Sequence, residues 1–399
     1  MLIDVAIVGA GPAGARAAYL LACRGARVTI FDASHPREKP CGGGVTGRAL
    51  ALVGDAIDAA HLPRTVIRAA RFTGRRSGVV VSDRNPRSEP GVDVPLDGDA
   101  LVVASRATFD AALLAAAERA GARLVRSRVT TVSVDADGVS VSTADGGAHR
   151  ASFLVGADGA NSLVRRRLAT PFRREQLSIA TGFFAHGISS DEIVIELTAD
   201  PPGYIWSFPR PGHLAIGICA QADAGITATA LRAQAADWIA ATRIAEGATL
   251  EAYSWPIPSL RACDFDALEL AGPRWALAGD AAGLVDPITR EGIFFALASG
   301  QWIADALTQP KAADGYASRV RDEAIAELRR AARLKAGFFR PAFAAVLTRG
   351  LMESGAIRSV MADLIAGRQS YASLKWRLLK TLEIGLAWRA LTTTGRRRR

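Results

Sequence analysis

The sequence predicts an α/β protein with an appended α+β part: a Rossmann-like nucleotide-binding domain interleaved with an antiparallel-sheet domain, followed by a helical C-terminal region. Three observations support this prediction. An apolar N-terminal run leads through a glycine-rich turn into an alanine-rich stretch, residues 177–219 alternate as antiparallel strands do, and the chain has helical patterns beyond residue 319. A chain of 399 residues is long enough for two domains or for one large domain with an appendage.

The N-terminal segment has the order strand, turn, helix, strand. Residues 2–8 are apolar and of strand length, residues 15–24 have helical character, and residues 27–31 form a second strand. Gly9, Gly11 and Gly14 lie between the first strand and the helix at the spacing of a dinucleotide motif, which permits a tight turn, a close pyrophosphate and helix–strand packing. Asp32, directly after the second strand, is placed to accept hydrogen bonds from ribose hydroxyls.

The later elements follow from local patterns. Strands are predicted at 69–73, 78–82, 123–125, 129–134, 139–143, 153–155 and from 275 to the pair Gly279-Asp280, and helices at 108–120, 228–245 and 291–307. We assign residues 1–70, 97–175 and 268–318 to the nucleotide-binding domain and residues 71–96 and 176–267 to the substrate domain. Residues 319–399 form the basic helical C-terminal region.

Composition and charge narrow the class of protein. The four Cys residues have neither the spacing of a zinc site nor that of a disulfide framework, so we expect no metal and a reducing cytoplasm. The sequence shows no run of 18 uncharged apolar residues that would cross a bilayer. The net charge is +10, and residues 319–399 hold 18 Lys/Arg against 6 Asp/Glu, so the basic charge belongs to the C-terminal region.

Three motifs occur in order along the chain: the glycine turn, Gly156-Ala-Asp158-Gly159, and Gly279-Asp280 with Pro287 downstream. Together they resemble the FAD-binding fold of the para-hydroxybenzoate hydroxylase superfamily over residues 1–310. The resemblance implies FAD, with Asp280 on the ribityl chain and backbone N–H groups after Pro287 against the flavin pyrimidine. The FAD-site positions that it implies are Gly9, Gly11, Pro12, Ala13, Gly14, Asp32, Ala33, Cys41, Gly42, Arg106, Val129, Asp158, Gly279, Asp280, Pro287, Gly292 and Ile293.

Two further segments narrow the resemblance. Lys39-Pro-Cys41-Gly-Gly-Gly44 and Gly203-Tyr204-Ile-Trp206-Ser-Phe208-Pro209 are similar to the Cys-Gly loop and aromatic strand of geranylgeranyl reductases, flavoenzymes that hydrogenate double bonds of polyprenyl chains. Aromatic residues at alternate positions of a strand project to one face and would wall a long apolar slot. The candidate catalytic residues are Cys41, Tyr204 and Trp206, and the candidate substrate-binding residues are Gly43, Tyr204, Trp206, Phe208 and Arg290.

Two departures from the superfamily bear on the reaction. Gly283 replaces the His that follows Gly-Asp-Ala-Ala in hydroxylases, which argues against a phenol hydroxylase, and Arg290-Glu291-Gly292 replaces the expected Gly-x-Gly. The sequence leaves open whether Arg290 contacts the flavin, a substrate phosphate or only solvent. Our interpretation is an FAD-dependent reductase of isoprenoid C=C bonds in a lipid, quinone or diphosphate. An FAD-dependent monooxygenase and a non-catalytic flavin-binding lipid carrier are the alternatives.

The sequence also bears on partners and location. It holds no second dinucleotide motif, so the electron donor, NAD(P)H or a reduced carrier protein, is expected to dock transiently. The C-terminal region interleaves Lys and Arg with apolar faces, which fits peripheral contact with the inner face of an anionic membrane or a helical cap on the body. No recognition fold accompanies the arginine run 396–399, so we expect no nucleic acid partner. The oligomeric state is not set by the sequence.

Overall fold

The computed structural model describes residues 4–73 and 91–381. The strands in these ranges are β1 (Asp4–Val8), β2 (Arg27–Phe31), β3 (Gly44–Thr46), β4 (Arg64–Val66), β5 (Ala69–Thr73), β6 (Val92–Pro95), β7 (Leu101–Ala104), β8 (Arg123–Val125), β9 (Val129–Val134), β10 (Val139–Thr143), β11 (Ala148–Ala151), β12 (Phe153–Gly156), β13 (Leu177–His186), β14 (Ile193–Ala199), β15 (Pro202–Arg210), β16 (His213–Gln221), β17 (Thr249–Pro258), β18 (Ala271–Gly272) and β19 (Trp275–Leu277). The α-helices are α1 (Pro12–Cys23), α2 (Gly47–Ala51), α3 (Arg106–Arg119), α4 (Leu163–Leu168), α5 (Ala228–Thr242), α6 (Ala262–Asp266), α7 (Ile293–Ala306), α8 (Ala312–Val320), α9 (Ala326–Phe338), α10 (Pro341–Glu353), α11 (Gly355–Ile365) and α12 (Tyr371–Lys380).

A six-stranded sheet in the order β18-β19-β12-β1-β2-β8 holds the three sequence motifs. Its strands from β19 to β8 are parallel, and β18 alone is antiparallel to its neighbour. Strand β1 is apolar after Asp4 and buried from Val5 to Val8, as expected for a parallel strand between helical layers. Because β1, β12 and β19 are parallel, the motif that follows each strand lies at the same sheet edge.

Helices α1 and α7 pack closely at this sheet. A Cβ added at Gly300 of α7 would lie 2.4 Å from the carbonyl oxygen of Ala13 in α1, so only glycine permits this approach. One residue earlier in α7, Ser299 donates its hydroxyl to the carbonyl oxygen of Ala296 and accepts the backbone N–H of Gly279 at 2.9 Å. These contacts fix α7 against both the glycine turn and the third motif.

The second large sheet has seven strands in the order β17-β13-β16-β15-β14-β5-β6 and is antiparallel except for the pair β14 and β5. Helix α5 covers one face, where buried Trp238 donates its indole N–H to Glu196 of β14 at 2.9 Å. The aromatic residues of β15 lie on this sheet. Strands β5 and β6 come from an early part of the chain, so the sheet joins segments far apart in sequence.

The C-terminal helices pack on the body of the protein. One π-helical turn, Arg321–Ile325, connects α8 and α9 without a break. Helices α10 and α11 bury Leu351, Met361 and Leu364 against the apolar residues of β5 and β6. The helical C-terminal region predicted from the sequence is thus confirmed for the described part, and it covers the seven-stranded sheet.

The predicted fold class is confirmed, and the structure adjusts several element bounds. Helix α1 begins at Pro12, earlier than predicted, because proline is well suited to the first helical position. Helix α5 ends at Thr242 instead of residue 245, where Arg243 adopts a left-handed conformation with φ of 54°. The predicted strand 78–82 lies outside the described residues. Across residues 4–73 and 91–381, we find no helix of the length and apolarity needed to cross a membrane.

Candidate active site

Packing within the chain explains two of the three glycines between β1 and α1. Gly9 has φ of +102°, and a Cβ there would lie 2.3 Å from the carbonyl oxygen of Ala157. A Cβ at Gly14 would lie 1.9 Å from the carbonyl oxygen of Gly9. Gly11 has an ordinary φ of −69°, and a Cβ there would meet only His35, at 3.6 Å. The space left at Gly11, in front of the α1 N-terminus, fits an approaching pyrophosphate.

Asp32 lies behind this turn with its carboxylate surrounded by donors. It accepts the backbone N–H groups of Ala10 at 2.9 Å and Ser34 at 2.7 Å, and it contacts Nδ1 of His35 at 2.8 Å. Burial alone would raise the pKa of Asp32, but these donors hold that pKa well below its ordinary value. His35 also approaches buried Asp110 at 3.5 Å. Asp32 is therefore an ionised group built into a network beside the turn.

Asp158, in the second motif, fixes the start of α4. It accepts the hydroxyl of Ser162 at 2.5 Å and the backbone N–H of Leu163 at 2.6 Å, which satisfies donors at the helix N-terminus. Burial raises the pKa of Asp158 above its ordinary value. The neighbouring Ala157 is the residue that packs against Gly9. The second motif thus packs directly against the glycine turn, through the contact between Ala157 and Gly9.

Asp280, in the third motif, faces the N-terminus of α7. Its Oδ2 accepts the Lys39 ammonium at 2.8 Å, and a Cβ at Gly292 would lie 3.3 Å from Oδ1. Gly292 precedes α7, and Ile293 is its first residue. Pro287 lies in the preceding turn, where the Asp286 carboxylate accepts two backbone N–H groups. The positive end of α7 and a carboxylate–ammonium pair therefore converge here.

Cys41 lies between two arginine side chains. Nη1 of Arg106 is 3.7 Å and Nη2 of Arg210 is 3.5 Å from its Sγ. Arg106 is held from behind by Asp110, which it contacts at 2.9 Å and 2.7 Å. Burial alone would raise the pKa of the Cys41 thiol, but Arg106, Arg210 and Lys39 together lower it below its ordinary value. Cys41 is therefore a more acidic thiol than an ordinary cysteine.

The aromatic residues of β15 form a wall next to the Cys41 loop. The ring centroids of Tyr204 and Trp206 are 5.6 Å apart, and Phe339 at the end of α9 stacks on Tyr204 at 6.3 Å with the rings 13° from parallel. A Cβ at Gly42 would lie 2.9 Å from the Phe208 ring, so the loop runs directly over that ring. Burial raises the pKa of Tyr204 well above its ordinary value, so its hydroxyl keeps its proton.

One mostly apolar cavity connects these segments. Its walls come from the Cys41 loop, β5, β14, β15, the turn before α7, and the helices α9 and α11. The apolar lining residues away from the loop include Phe72, Ile193, Ile195, Leu197, Ile257, Phe338, Phe339, Met361, Leu364 and Ile365. The cavity is thus an apolar slot. Pro12, Cys41, Arg106 and Asp280 line the end of the slot that lies next to the glycine turn.

Comparisons with known proteins agree with this geometry. Residues 2–300 match the family of FAD binding domains. The menaquinone reductases of Mycolicibacterium smegmatis and Mycobacterium tuberculosis are 31% and 32% identical to this chain, over 76% of the chain and 76% of each relative. A geranylgeranyl diphosphate reductase of Rhodobacter capsulatus is 30% identical over 77% of the chain and 75% of that relative. The chain belongs to the geranylgeranyl reductase family. It is an FAD-dependent oxidoreductase, as the sequence resemblance implied.

Solved structures support the fold. A geranylgeranyl bacteriochlorophyll reductase-like protein of Thermoplasma acidophilum has a TM-score of 0.76 at 21% identity and covers 95% of this chain and 99% of its own. A flavin-dependent brominase has a TM-score of 0.71 at 21% identity, covering 95% of this chain and 99% of its own. At such identities, the likeness shows that these proteins share the fold.

The cavity brings together many of the residues that the sequence pointed to in this geranylgeranyl reductase family member. Those that line it are Pro12, Cys41, Gly42, Gly43, Arg106, Tyr204, Trp206, Phe208, Asp280, Arg290, Gly292 and Ile293. The glycine turn and the Asp32 loop lie beside it, with Gly9, Gly11, Ala13, Gly14, Asp32 and Ala33. Gly279 and Pro287 lie in the turns that precede α7. Asp158 is not among the lining residues and accepts a backbone N–H group at the start of α4. Val129 is buried in the core at the start of β9 and is not among the lining residues.

Sequence reasoning missed two charged residues that shape the site. Lys39 was visible in the Cys-Gly loop, but its partner Asp280 is 241 positions away. Arg210 is the last residue of β15 and is completely buried, with hydrogen bonds to the carbonyl oxygens of Cys41 at 2.7 Å and Lys39 at 3.1 Å. The only signal in the sequence was the position of an arginine directly after Phe208-Pro209.

Proposed function

We propose that this flavoenzyme hydrogenates carbon–carbon double bonds of a polyprenyl chain carried by a lipid, quinone or diphosphate. The observation that supports this most is the apolar, aromatic-walled cavity that opens on both the Cys41 loop and the α7 N-terminus. Relatives named as menaquinone and geranylgeranyl diphosphate reductases support the same substrate class. FAD bound at the glycine turn supplies two-electron hydride chemistry.

The proposed FAD contacts follow from the geometry. The free space at Gly11 and the α1 N-terminus receive the pyrophosphate, and Asp32 faces the ribose. Asp280 would accept a hydrogen bond from the ribityl chain, and the N–H groups at the start of α7 would contact the flavin pyrimidine. These N–H groups would stabilise negative charge on the reduced ring because the helix N-terminus is positive.

We assign two roles to the residues around the substrate: packing against the chain and proton transfer. Trp206 and Phe208 present apolar ring surface to the chain, and the Trp206 ring face stabilises developing positive charge on an alkene carbon. Cys41 is the stronger acid of the two candidate donors because arginines lower its pKa, whereas burial raises that of Tyr204. We therefore assign proton delivery to Cys41 and positioning of the chain to Tyr204. The electron pair for each reduced bond would come from NAD(P)H or a reduced carrier protein that docks transiently and reduces the flavin.

The test is mass spectrometry of geranylgeranyl lipids incubated with the FAD-loaded protein and dithionite. A gain of two mass units per double bond is expected. Cys41→Ser is expected to lower the rate about 10- to 100-fold with FAD still bound, because serine is a much weaker acid. Cys23→Ser, which changes an exposed cysteine, serves as the matched control.

Other products decide between the alternatives. Addition of one oxygen in an aerobic assay with NAD(P)H would identify a monooxygenase. Lipid binding with no change in mass would identify a carrier. Equal turnover of the Cys41→Ser and Cys23→Ser proteins would reduce Cys41 to a packing residue.

We further propose that the C-terminal helices hold the enzyme on an anionic membrane. Helix α12 exposes 67% of Trp376 and 55% of Leu379, with Lys375 and Lys380 on the same helix. Helices α9 and α11 of the same region line the cavity, so a membrane surface here would lie next to the substrate slot. Each basic residue near an anionic surface adds about 1 kcal/mol, and buried apolar area adds a contribution that salt does not remove.

Sedimentation with anionic vesicles checks this proposal. We expect the protein to co-sediment, to be partly released by high salt, and to lose binding when residues 370–399 are deleted. The double change Trp376→Ser and Leu379→Ser should weaken binding without removing charge. Leu250→Ser, at another exposed apolar residue, is the control. Unchanged sedimentation of the double variant, or unfolding on deletion, would make the region a structural cap only.

A further inference from the structure

Two cationic side chains meet beside the cavity in a basic cluster formed by Arg290, Lys335, Ser259 and Gln221. Nη1 of Arg290 donates to the Ser259 hydroxyl oxygen at 2.5 Å, and the Lys335 ammonium donates to the same oxygen at 2.6 Å. Lys335 also donates to Oε1 of Gln221 at 2.6 Å. Ser259 is completely buried, and Arg290 lines the cavity. The two positive groups are thus held together by neutral partners.

The basic cluster contains no counterion. Among the residues that the structure describes, no carboxylate lies within ion-pair distance of Arg290 or Lys335. The nearby acidic groups are engaged elsewhere: Asp286 accepts the Tyr371 hydroxyl at 2.9 Å, and Asp223 pairs with Arg261 at 3.2 Å.

Donors in the cluster remain unused. Nε of Arg290 is buried and has no hydrogen-bond partner. The Lys335 ammonium has three N–H groups and uses two of them in the contacts above. Burial and the neighbouring Arg290 lower the pKa of Lys335 to about 7, and Asp223, which pairs with Arg261, offsets this only in part. An anionic ligand would satisfy both the donors and the charge.

Helix α9 joins this cluster to the apolar wall of the cavity. Lys335 lies three and four residues before Phe338 and Phe339, so the three side chains share one face of the helix at its C-terminal end. Phe338 and Phe339 line the cavity, and Phe339 stacks on Tyr204. The cavity therefore has an apolar body with two cations at its border. This is the complement of an amphiphile with an apolar chain and an anionic headgroup.

We propose that the basic cluster binds the phosphate headgroup of the polyprenyl substrate. The proposal rests on the proposed function, which supplies the polyprenyl chain. A quinone carbonyl needs only one hydrogen-bond donor and would leave two partly buried cations uncompensated, whereas a phosphate neutralises both and accepts several charge-assisted hydrogen bonds. Phosphate chemistry is shared by a free prenyl diphosphate and a polyprenyl phospholipid.

The experiment compares charged and uncharged substrates in the FAD-loaded enzyme. We expect Lys335→Gln to lower kcat/KM for geranylgeranyl diphosphate about 10- to 100-fold, with geranylgeraniol changed less than about twofold. Arg333→Gln, at an exposed residue of the same helix, should change neither. A polyprenyl phosphodiester lipid, assayed in parallel, shows which source of phosphate the cluster prefers.

A binding measurement tests this proposal independently of the reductase function. Calorimetry should show inorganic pyrophosphate binding to the FAD-loaded wild-type protein, with the affinity lowered about 10- to 100-fold in Lys335→Gln. Pyrophosphate binding would support the headgroup site even if the enzyme reduced no polyprenyl substrate. That second result would contradict the proposed function only. Absence of pyrophosphate binding, or an equal loss of activity on geranylgeranyl diphosphate and geranylgeraniol, overturns the headgroup site.

Discussion

Replacing Asp280 with alanine is expected to leave the purified protein largely without FAD, with affinity for added FAD lowered about 100-fold. Asp280 holds the Lys39 ammonium at 2.8 Å and backs Gly292 at the start of α7. Its removal takes away the proposed ribityl acceptor and leaves the ammonium without its partner in front of a positive helix end. The loss of the acceptor is the effect that lowers the affinity for the cofactor.

The absorbance ratio of flavin to protein, followed by titration of the apoprotein with FAD, measures this loss. Asp305→Ala is the matched control because Asp305 lies near the other end of α7 and pairs with Arg24 and Arg319 on the surface. Asp280→Asn keeps the size of the side chain and isolates the charge. Full flavin occupancy in the Asp280→Ala protein would contradict the assignment of Asp280 to the FAD site.

The sequence predicted the parts of the fold and site that depend on neighbouring residues. The glycine turn, its flanking strands and the following Asp32 lie within about thirty positions, so their spacing is visible in the sequence as one motif. The alternation of Tyr204, Trp206 and Phe208 predicted a shared face because the side-chain period of a strand is two. In the structure all three line the cavity.

The ion pairs and hydrogen bonds that shape the site could not be predicted in this way. Lys39 meets Asp280 across 241 positions, and Arg210 meets Lys39 across 171. Which charges become partners depends on how two sheets and the C-terminal helices pack. The same limit applies to the amphipathic C-terminal region: its pattern predicted helices, but only the packing shows that Phe339 and Met361 face inward while Trp376 faces outward.

The second large effect is expected at Arg210, the completely buried arginine behind the Cys41 loop. Its guanidinium donates to three carbonyl oxygens of the loop, those of Lys39, Cys41 and Gly42, and it pairs with Glu38. Arg210→Met removes all of these donors at once. We expect a loss of about 3 kcal/mol in the free energy of unfolding, near the lower end for breaking a buried pair because Glu38 is 30% exposed. For 399 residues this is a fall of about 4 °C in Tm.

The thiol of Cys41 reports the same change independently of stability. Arg210 is one of the charges that lower its pKa, so alkylation of Cys41 in Arg210→Met should require a higher pH than in the wild-type protein. Both proteins are compared with the other three cysteines changed to serine, so that Cys41 alone reacts. Arg210→Lys keeps the charge but not the guanidinium geometry, so it should restore most of the alkylation profile and little of the Tm. If Arg210→Met alters Tm but leaves the alkylation profile unchanged, Arg210 supports the loop only, and the acidity of Cys41 comes from Arg106 and Lys39.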